Sequence, residues 1–186
     1  MGPSTRAIFV TSNENKRREA ASILGAELRA ESPEVPEIQA LDLREVAAEK
    51  AREAHRALGS PASPVLVEDS GLLVEAWKGL PGAFTKWFMI TVGNEGICGM
   101  LRDELPRAAR AVCVVAVAHD GEVEVFPGEV PGSLAHAPRG VGGFGWDAIF
   151  IPEGESRTYA EMGDEKHADS HRARAFEAAR RRLLEL

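Results

Sequence analysis

A hairpin signal in the middle of the chain restricts the fold more than any other feature of the sequence. Residues 109–130 read ARAVCVVAVAHDGEVEVFPGEV, two runs rich in valine that are separated by Asp120 and Gly121. An Asp-Gly pair between such runs favours the tight turn of an antiparallel hairpin, in which both turn residues adopt positive φ. We therefore expect a long antiparallel pair of strands within the fold.

The segments around the hairpin alternate between strand and helix patterns. The segments that favour strands are residues 6–10, 26–32 and 64–68. The segments that favour helices are residues 14–25, 43–59, 84–93, 95–105 and 171–186. A strand-helix unit together with a hairpin predicts an α/β fold with a mixed sheet.

The length of the chain indicates one domain, residues 1–186. The 186 residues are 44% hydrophobic, which is enough for a substantial core. The sequence contains no internal repeat, and the SPASP stretch at residues 60–64 is typical of a rigid loop rather than a linker.

Charge and cysteine content exclude several classes of protein. The net charge of −7 argues against a protein that holds nucleic acid, because that binding depends on a basic surface. Cys98 and Cys113 lack the spacing of a disulfide framework or a zinc site. The N-terminal apolar segment is too short for a signal peptide, and there is no run of 18 apolar residues. We expect a soluble cytoplasmic protein that does not bind membranes.

Two carboxylates follow the strand predicted at residues 64–68. The stretch PVLVEDSG places Glu68 and Asp69 in succession before Ser70. Acids that are merely solvated at a strand end are one interpretation, and a functional concentration of negative charge is the other. Neither is decided by these residues alone.

Two further loops carry a lysine each. TSNENK, residues 11–16, joins the first strand to the first helix, so helix amides and Lys16 could hold a phosphate. An asparagine-rich helix cap is the alternative, since the spacing of a P-loop is absent. In GLPGAFTKWF, residues 79–88, Lys86 follows a turn that the glycines and the proline predict. Lys86 is either part of a binding site or a solvated lysine on the surface.

Glycines and aromatic residues are concentrated in RGVGGFGWDAIF, residues 139–150. Glycines allow a ligand to approach the backbone closely, while Phe144 and Trp146 offer a stacking surface and Asp147 an acceptor. A tight turn anchored by aromatic side chains is the alternative.

Three cationic or titratable side chains lie at the predicted start of the last helix. KHADSHRARAF, residues 166–176, contains Lys166, His171 and Arg172 there. A helix N-terminus favours anions, so cations at this position oppose the helix dipole. We expect an anionic ligand to relieve the conflict.

Taken together, these segments resemble the inosine triphosphate pyrophosphatase family. The resemblance runs through five motifs in order, TSNENK, VEDSG, LPGAFTKWF, GGFGWD and SHRARA, over nearly the whole chain. The FGWD and TKWF forms are more similar to the eukaryotic and archaeal branch than to the bacterial one. Two departures are Ser12, where the first motif usually has glycine, and Glu68, where bacterial members commonly have aspartate.

The resemblance implies an elongated mixed-sheet fold, with two lobes around a central nucleotide-binding cleft, and usually a homodimer. It implies Mg²⁺ held by Glu37 and Asp69, and carboxylates with substrate phosphates are the ligands that suit this ion. The catalytic residues it implies are Asp69, Glu68 and Lys16. The substrate-binding residues it implies are Thr11, Ser12, Asn13, Lys16, Lys50, Ser70, Lys86, Phe144, Gly145, Trp146, Asp147, Lys166, His171 and Arg172.

The resemblance also implies an activity, the Mg²⁺-dependent hydrolysis of ITP, dITP and XTP to the monophosphate and pyrophosphate. Such an enzyme would remove mutagenic precursors from the nucleotide pool. Two alternatives remain open: a pyrophosphatase for other modified nucleotides, and a nucleotide sensor that has lost turnover.

Overall fold

A six-stranded mixed sheet organises the molecule. The computed structural model describes residues 7–26, 28–102 and 104–186. The strands are β1 Ile8–Val10, β2 Arg29–Glu31, β3 Val65–Val74, β4 Ala108–His119, β5 Glu122–Leu134 and β6 Phe150–Pro152. Their order across the sheet is β2-β1-β3-β4-β5-β6, with β2, β1 and β3 parallel and the remaining pairs antiparallel. The predicted α/β fold with a mixed sheet is confirmed.

The hairpin forms where the sequence places it. β4 and β5 pair over their whole length, from Ala108 opposite Ser133 to His119 opposite Glu122. The turn residues Asp120 and Gly121 have φ values of 49° and 82°, the positive values that a tight hairpin turn requires.

The helices cover both faces of the sheet. They are α1 Glu14–Leu24, α2 Leu43–Ala57, α3 Thr85–Thr91, α4 Gly93–Met100, α5 Tyr159–Met162 and α6 His171–Glu185. Side chains of Asn13, Asp42 and Ser170 cap the starts of α1, α2 and α6 by accepting bonds from free backbone N–H groups. Among the described residues, no helix is long and apolar enough to cross a membrane.

Several predicted boundaries differ from the structure. The helices predicted at residues 43–59 and 95–105 end earlier, at Ala57 and Met100, and the segment 84–93 is divided because Gly93, at φ 67°, begins a new helix. Arg6, Glu27 and Asp103, which belong to predicted elements, lie outside the described residues. β6 and α5 were not predicted, because each is too short to show a hydrophobic period in the sequence.

The prediction that the third strand ends at the acid pair is wrong. β3 continues through Glu68 and Asp69 to Val74, because it pairs with β4 along its whole length, from Val65 opposite Ala118 to Val74 opposite Ala109. The two carboxylates therefore project from the interior of a strand.

Alternate residues of the central strands face different helices. Cys113, Val115 and Val117 of β4 pack in one cluster with side chains of α1 and α6, while Val112 and Val114 pack in another with side chains of α2. A third cluster contains Leu72 and Val74 from the far half of β3, together with side chains of α4, α5 and β6. One lobe is thus the part of the sheet covered by α1, α2 and α6, and the other is the part packed with α4, α5 and β6. β3 runs from the first lobe into the second, and the acid pair lies where the two meet.

Candidate active site

An unpaired stretch of the β3 edge creates the candidate site. β1 pairs with β3 at Val65 and Leu66, and Pro81 bridges to Leu73 further along. Between these points a cleft of about 470 Å³ opens beside Glu68, Asp69 and Ser70. The predicted site residues that line it are Thr11, Ser12, Asn13, Lys16, Glu37, Lys50, Glu68, Asp69, Ser70, Lys86, Phe144, Gly145 and Trp146.

The loop before α1 is a helix cap that also delivers Lys16 to the cleft. The Asn13 side chain accepts hydrogen bonds from the backbone N–H groups of Asn15 and Lys16, at 3.0 and 3.2 Å. These two amides are therefore already bonded. The Lys16 side chain points along the first turn to Glu68, with Nζ 2.9 Å from Oε1. The helix-cap interpretation of this loop is confirmed, and the binding of a phosphate by Lys16 stays a prediction.

Lys50 bridges the two carboxylates that the family resemblance assigns to a metal. Its Nζ lies 2.7 Å from Glu37 Oε1 and 3.5 Å from Asp69 Oδ2. The hydrogen bond from Lys50 lowers the pKa of Glu37 more than partial burial raises it, and Lys86 and Lys16 lower it further. Burial would lower the pKa of Lys50, but Asp69 and Glu37 outweigh it, so the net shift is upward. The Glu37 carboxylate is thus ionised at neutral pH, and it shares the Lys50 ammonium with Asp69.

A second set of charges is fully buried behind the cleft. Arg172 Nε donates to Glu68 Oε2 at 2.7 Å, and the other side of its guanidinium pairs with Glu19. Lys166 Nζ lies 2.8 Å from Glu19 Oε1 and 2.6 Å from Asp147 Oδ2. Together with Lys16, three cations balance three carboxylates here, as burial of charge demands.

Arg172 and Lys166 are therefore placed differently from what the helix-dipole argument suggested. The sequence predicts an anionic ligand that offsets the cations at the start of α6. Instead, the carboxylates of Glu68, Glu19 and Asp147 neutralise them within the chain. Arg172 is 2% exposed, and its contact with substrate stays a prediction.

Glu19 is a residue of this network that the sequence analysis did not single out. It lies on α1, in ENKRREAASIL, and is buried. Burial alone would raise its pKa, but Arg172 and Lys166 outweigh burial and lower the pKa overall. The available signal was positional: Glu19 lies three residues after Lys16, on the same face of the helix.

The glycine-rich segment supplies an aromatic wall to the cleft. Asp147 accepts a hydrogen bond from Phe144 N at 2.7 Å, which folds the segment into a tight turn. Gly143, at φ 68°, lies so close to this carboxylate that a Cβ would come within 2.1 Å of Oδ2. Cations lie over the Phe144 ring, with Lys166 Nζ 5.5 Å and Arg172 Cζ 5.4 Å from its centre. The tight-turn interpretation is confirmed, and stacking of a ligand on Phe144 and Trp146 stays a prediction.

His171 packs behind this wall. Its ring centre lies 4.9 Å from that of Trp146 and 5.8 Å from that of Tyr159. Both ring nitrogens lack a hydrogen-bond partner among the described residues, and burial lowers the pKa of His171 well below its ordinary value. Of the predicted site residues, Asp147, Lys166, His171 and Arg172 form this layer behind the cleft, and their contact with a ligand stays a prediction.

Comparison with known proteins places the chain in a family. Residues 7–182 match the Ham1 family. The chain is 44% identical over 177 residues to the dITP/XTP pyrophosphatase of Methanopyrus kandleri, covering 92% of this chain and 93% of that protein. It is 40% identical over 183 residues to the inosine triphosphate pyrophosphatase of Kluyveromyces lactis, covering 94% and 93%.

A solved structure agrees with these sequence matches. The Ham1 protein from Coxiella burnetii superposes with a TM-score of 0.81 at 28% identity, covering 97% of this chain and 98% of that one. The archaeal and fungal relatives confirm the resemblance inferred from the five motifs. The chain belongs to the Ham1 family.

Proposed function

We propose that this protein hydrolyses the deaminated purine nucleoside triphosphates ITP, dITP and XTP to the nucleoside monophosphate and pyrophosphate. The relatives named for dITP/XTP and ITP pyrophosphatase activity support this substrate class and make the chain a hydrolase. The observation that carries the proposal is the cleft itself, in which Lys16, Lys50 and Lys86 lie around Glu37 and Asp69 beside an aromatic wall.

The three lysines form the site for the triphosphate. They come from α1, α2 and α3 and converge on one cleft. Phosphoryl-type transfer depends mainly on positioning and on neutralising charge, so cations fixed around the phosphates serve substrate binding as well as the chemical step. Lys16 is held by Glu68 at 2.9 Å, which fixes its position before a substrate arrives.

Glu37 and Asp69 fit the requirements of a Mg²⁺ site. Mg²⁺ is typically held by one or two carboxylates together with substrate phosphates, and it keeps several waters. These two carboxylates already share one cation, the Lys50 ammonium. The described residues contain no cluster of three or more histidine, cysteine or acidic side chains that could hold a metal, so substrate phosphates would complete the site. When bound, the ion would neutralise phosphate charge.

Asp69, rather than Glu68, is the carboxylate suited to the attacking water. The Glu68 side chain is 0% exposed, and burial would raise its pKa, but Arg172 and Lys16 outweigh burial and hold the pKa far below its ordinary value. Such a carboxylate is a poor proton acceptor. Asp69 is 19% exposed in the cleft, where it can orient a water towards the α-phosphorus. Glu68 anchors Lys16 and Arg172 instead.

The base would lie against Phe144 and Trp146. Behind these rings, His171 offers two ring nitrogens that have no hydrogen-bond partner in the described part of the chain, and Arg172 offers donor groups only. Hypoxanthine and xanthine carry a 6-oxo acceptor, whereas adenine carries a 6-amino donor. A purely donating guanidinium would therefore favour the deaminated bases, provided that Arg172 Nη2 reaches them. That nitrogen is held by long bonds of 3.4 Å to Glu68 and Ser70.

The family resemblance further supports a homodimer in the cytoplasm that removes mutagenic precursors from the nucleotide pool. A panel of triphosphates assayed for pyrophosphate release with Mg²⁺ tests the function. We expect kcat/KM for ITP, dITP and XTP to exceed that for ATP by at least about 100-fold, since a site built around a polar contact can discriminate by as much as about 10⁴-fold when the contact is missing. Preference for another modified nucleotide would favour the first alternative, and binding without turnover would favour the sensor.

A further inference from the structure

Thr85 forms a buried link between β3 and the start of α3. Its hydroxyl accepts a hydrogen bond from Leu72 N at 2.9 Å and donates one to Gly82 O at 2.7 Å. Thr85 is 3% exposed, so water does not replace these bonds. Leu72 N faces the edge of β3 on which β1 has already ended. The hydroxyl thus supplies the hydrogen bond that a neighbouring strand would otherwise supply.

Gly71 allows this link to be short. A Cβ atom at Gly71 would lie 2.3 Å from Gly82 O and 2.9 Å from Thr85 Oγ1, distances at which real atoms overlap. Any side chain at this position would force the segment that contains Gly82 and Thr85 away from β3. Glycine is therefore needed at the end of VEDSG because the backbone packs closely there, and not because the position has an unusual backbone angle.

The linked residues lie in or beside the lining of the cleft, which includes Thr85 itself. Asp69 and Ser70 immediately precede Gly71, and Lys86 immediately follows Thr85, and all three line the cleft. The link through Thr85 therefore sets the distance between the lysine on α3 and the carboxylate on β3. A shift of the segment that contains Gly82 and Thr85 would move Lys86 and leave Asp69 in place.

We infer that Thr85 is a positioning residue that holds Lys86 at the triphosphate site through its bonds to Leu72 and Gly82. The inference rests on the proposed function, since it assigns Lys86 to substrate phosphates. Thr85→Val keeps the shape of the side chain but removes the hydroxyl, and Thr85→Ser keeps the hydroxyl. Thr91→Val is a matched control, because Thr91 also lies on α3 and donates to a backbone carbonyl, Trp87 O at 2.7 Å, but is exposed.

Steady-state kinetics with ITP measure the effect. We expect Thr85→Val to raise KM about tenfold while kcat falls less than about threefold, since removing a buried hydroxyl leaves two backbone groups unpaired and displaces a binding residue. Thr85→Ser and Thr91→Val should keep KM within about twofold of the original protein. An unchanged KM in Thr85→Val would overturn the inference.

A double-mutant cycle with Lys86→Met separates positioning from a general loss of structure. If Thr85 acts through Lys86, Thr85→Val should change KM by less than about twofold once Lys86 is replaced. An equal rise of KM in both backgrounds would show that Thr85 does not act through Lys86. Gly71→Ala should displace the same segment by a steric clash, and in a cycle with Lys86→Met it should show the same coupling in KM. The inference therefore remains testable even if Thr85→Val does not fold.

The two proposals fail in different ways. If the unaltered protein releases pyrophosphate from ITP but the cycles show no coupling, the role of Thr85 is overturned and the proposed function stands. If the unaltered protein does not hydrolyse ITP, the proposed function fails, and the role of Thr85 fails with it.

Discussion

Glu68 and Arg172 are 104 positions apart in the chain and form a buried ion pair, with Arg172 Nε 2.7 Å from Glu68 Oε2. This pair joins the central strand of the sheet to the first turn of the terminal helix. Because Glu68 also holds Lys16, the cleft and the layer behind the aromatic wall are parts of one network of charges.

Replacing Arg172 by methionine should destabilise the protein. The change leaves Glu68 and Glu19 with fewer partners in a buried environment, and breaking a buried pair costs about 3–5 kcal/mol. Denaturant unfolding at pH 7 measures the loss. Arg174→Met is the control, since Arg174 pairs with Asp169 at the surface, where an ion pair is worth less than about 1 kcal/mol. Equal losses for the two variants would contradict the buried network.

The same variant tests whether Arg172 reads the base. We expect Arg172→Met to lower kcat/KM for ITP and to narrow the ratio of ITP to ATP activity, because only the donor contact to a 6-oxo group distinguishes the two. Lys16→Met should lower kcat/KM for ITP and kcat/KM for ATP by about the same factor. If the ITP preference is unchanged in Arg172→Met at a temperature where the variant is folded, Arg172 serves the network alone.

Glu19→Gln should change how stability depends on pH. The pKa of Glu19 is lower in the folded protein than its ordinary value of 4.5, so the unfolded chain binds more protons as the pH falls below about 4.5, and the folded state loses stability there. The variant should be about 2 kcal/mol less stable at pH 7, by loss of charged hydrogen bonds, and should lose less stability between pH 5 and pH 3. Unfolding curves across this range measure both effects.

Glu14→Gln is the matched control for Glu19. Glu14 lies on the same helix and pairs with Arg17 at an exposed position, so its loss should cost less than about 0.5 kcal/mol. A pH dependence of the Glu19→Gln variant identical to that of the unaltered protein would refute the assignment of Glu19 to the buried network.

Asp69→Asn should preserve the fold and remove most activity. The substitution keeps the size of the side chain but removes the charge that, in the proposed function, orients water and binds Mg²⁺. Loss of a general acid or base typically costs about 10²–10⁴-fold in rate, and we expect a loss of about 10³-fold. Thermal unfolding and kcat for ITP, measured over a range of Mg²⁺ concentrations, check both parts. Near-full turnover would show that this part of β3 is not the catalytic centre.

Glu37→Gln should instead produce a defect that Mg²⁺ can compensate. With one carboxylate ligand lost and Asp69 retained, we expect the Mg²⁺ concentration for half-maximal activity to rise about tenfold. Glu34→Gln, in the same loop but outside the cleft lining, should leave this concentration unchanged. If the Mg²⁺ concentration for half-maximal activity is unchanged in Glu37→Gln, Glu37 is not a ligand of the proposed metal site.

Sequence reasoning succeeded where the signal was local. The Asp120-Gly121 pair predicts its own turn, because the required φ values are properties of these two residues. It failed for β3, since Glu68 and Asp69 are polar and polarity usually marks the end of a buried strand. Only the pairing with β4, from another part of the chain, keeps them inside the sheet.

The burial of charge could not be predicted from the sequence either. Glu19 lies in a helix whose charged residues suggest a solvated surface, and its partner Arg172 is 153 positions away. Nothing in either segment alone shows that the two meet. The family resemblance brought Arg172 and Lys166 into the predicted site, but the carboxylates that hold them become visible only in the structure.

Hydrolysis of ITP in water enriched in ¹⁸O tests the central claim most directly. If the cleft directs water to the α-phosphorus, the products are IMP that carries one ¹⁸O atom and pyrophosphate that carries none, as mass spectrometry of both products would show. Formation of IDP and labelled orthophosphate, or of pyrophosphate that contains the label, would contradict the proposed reaction.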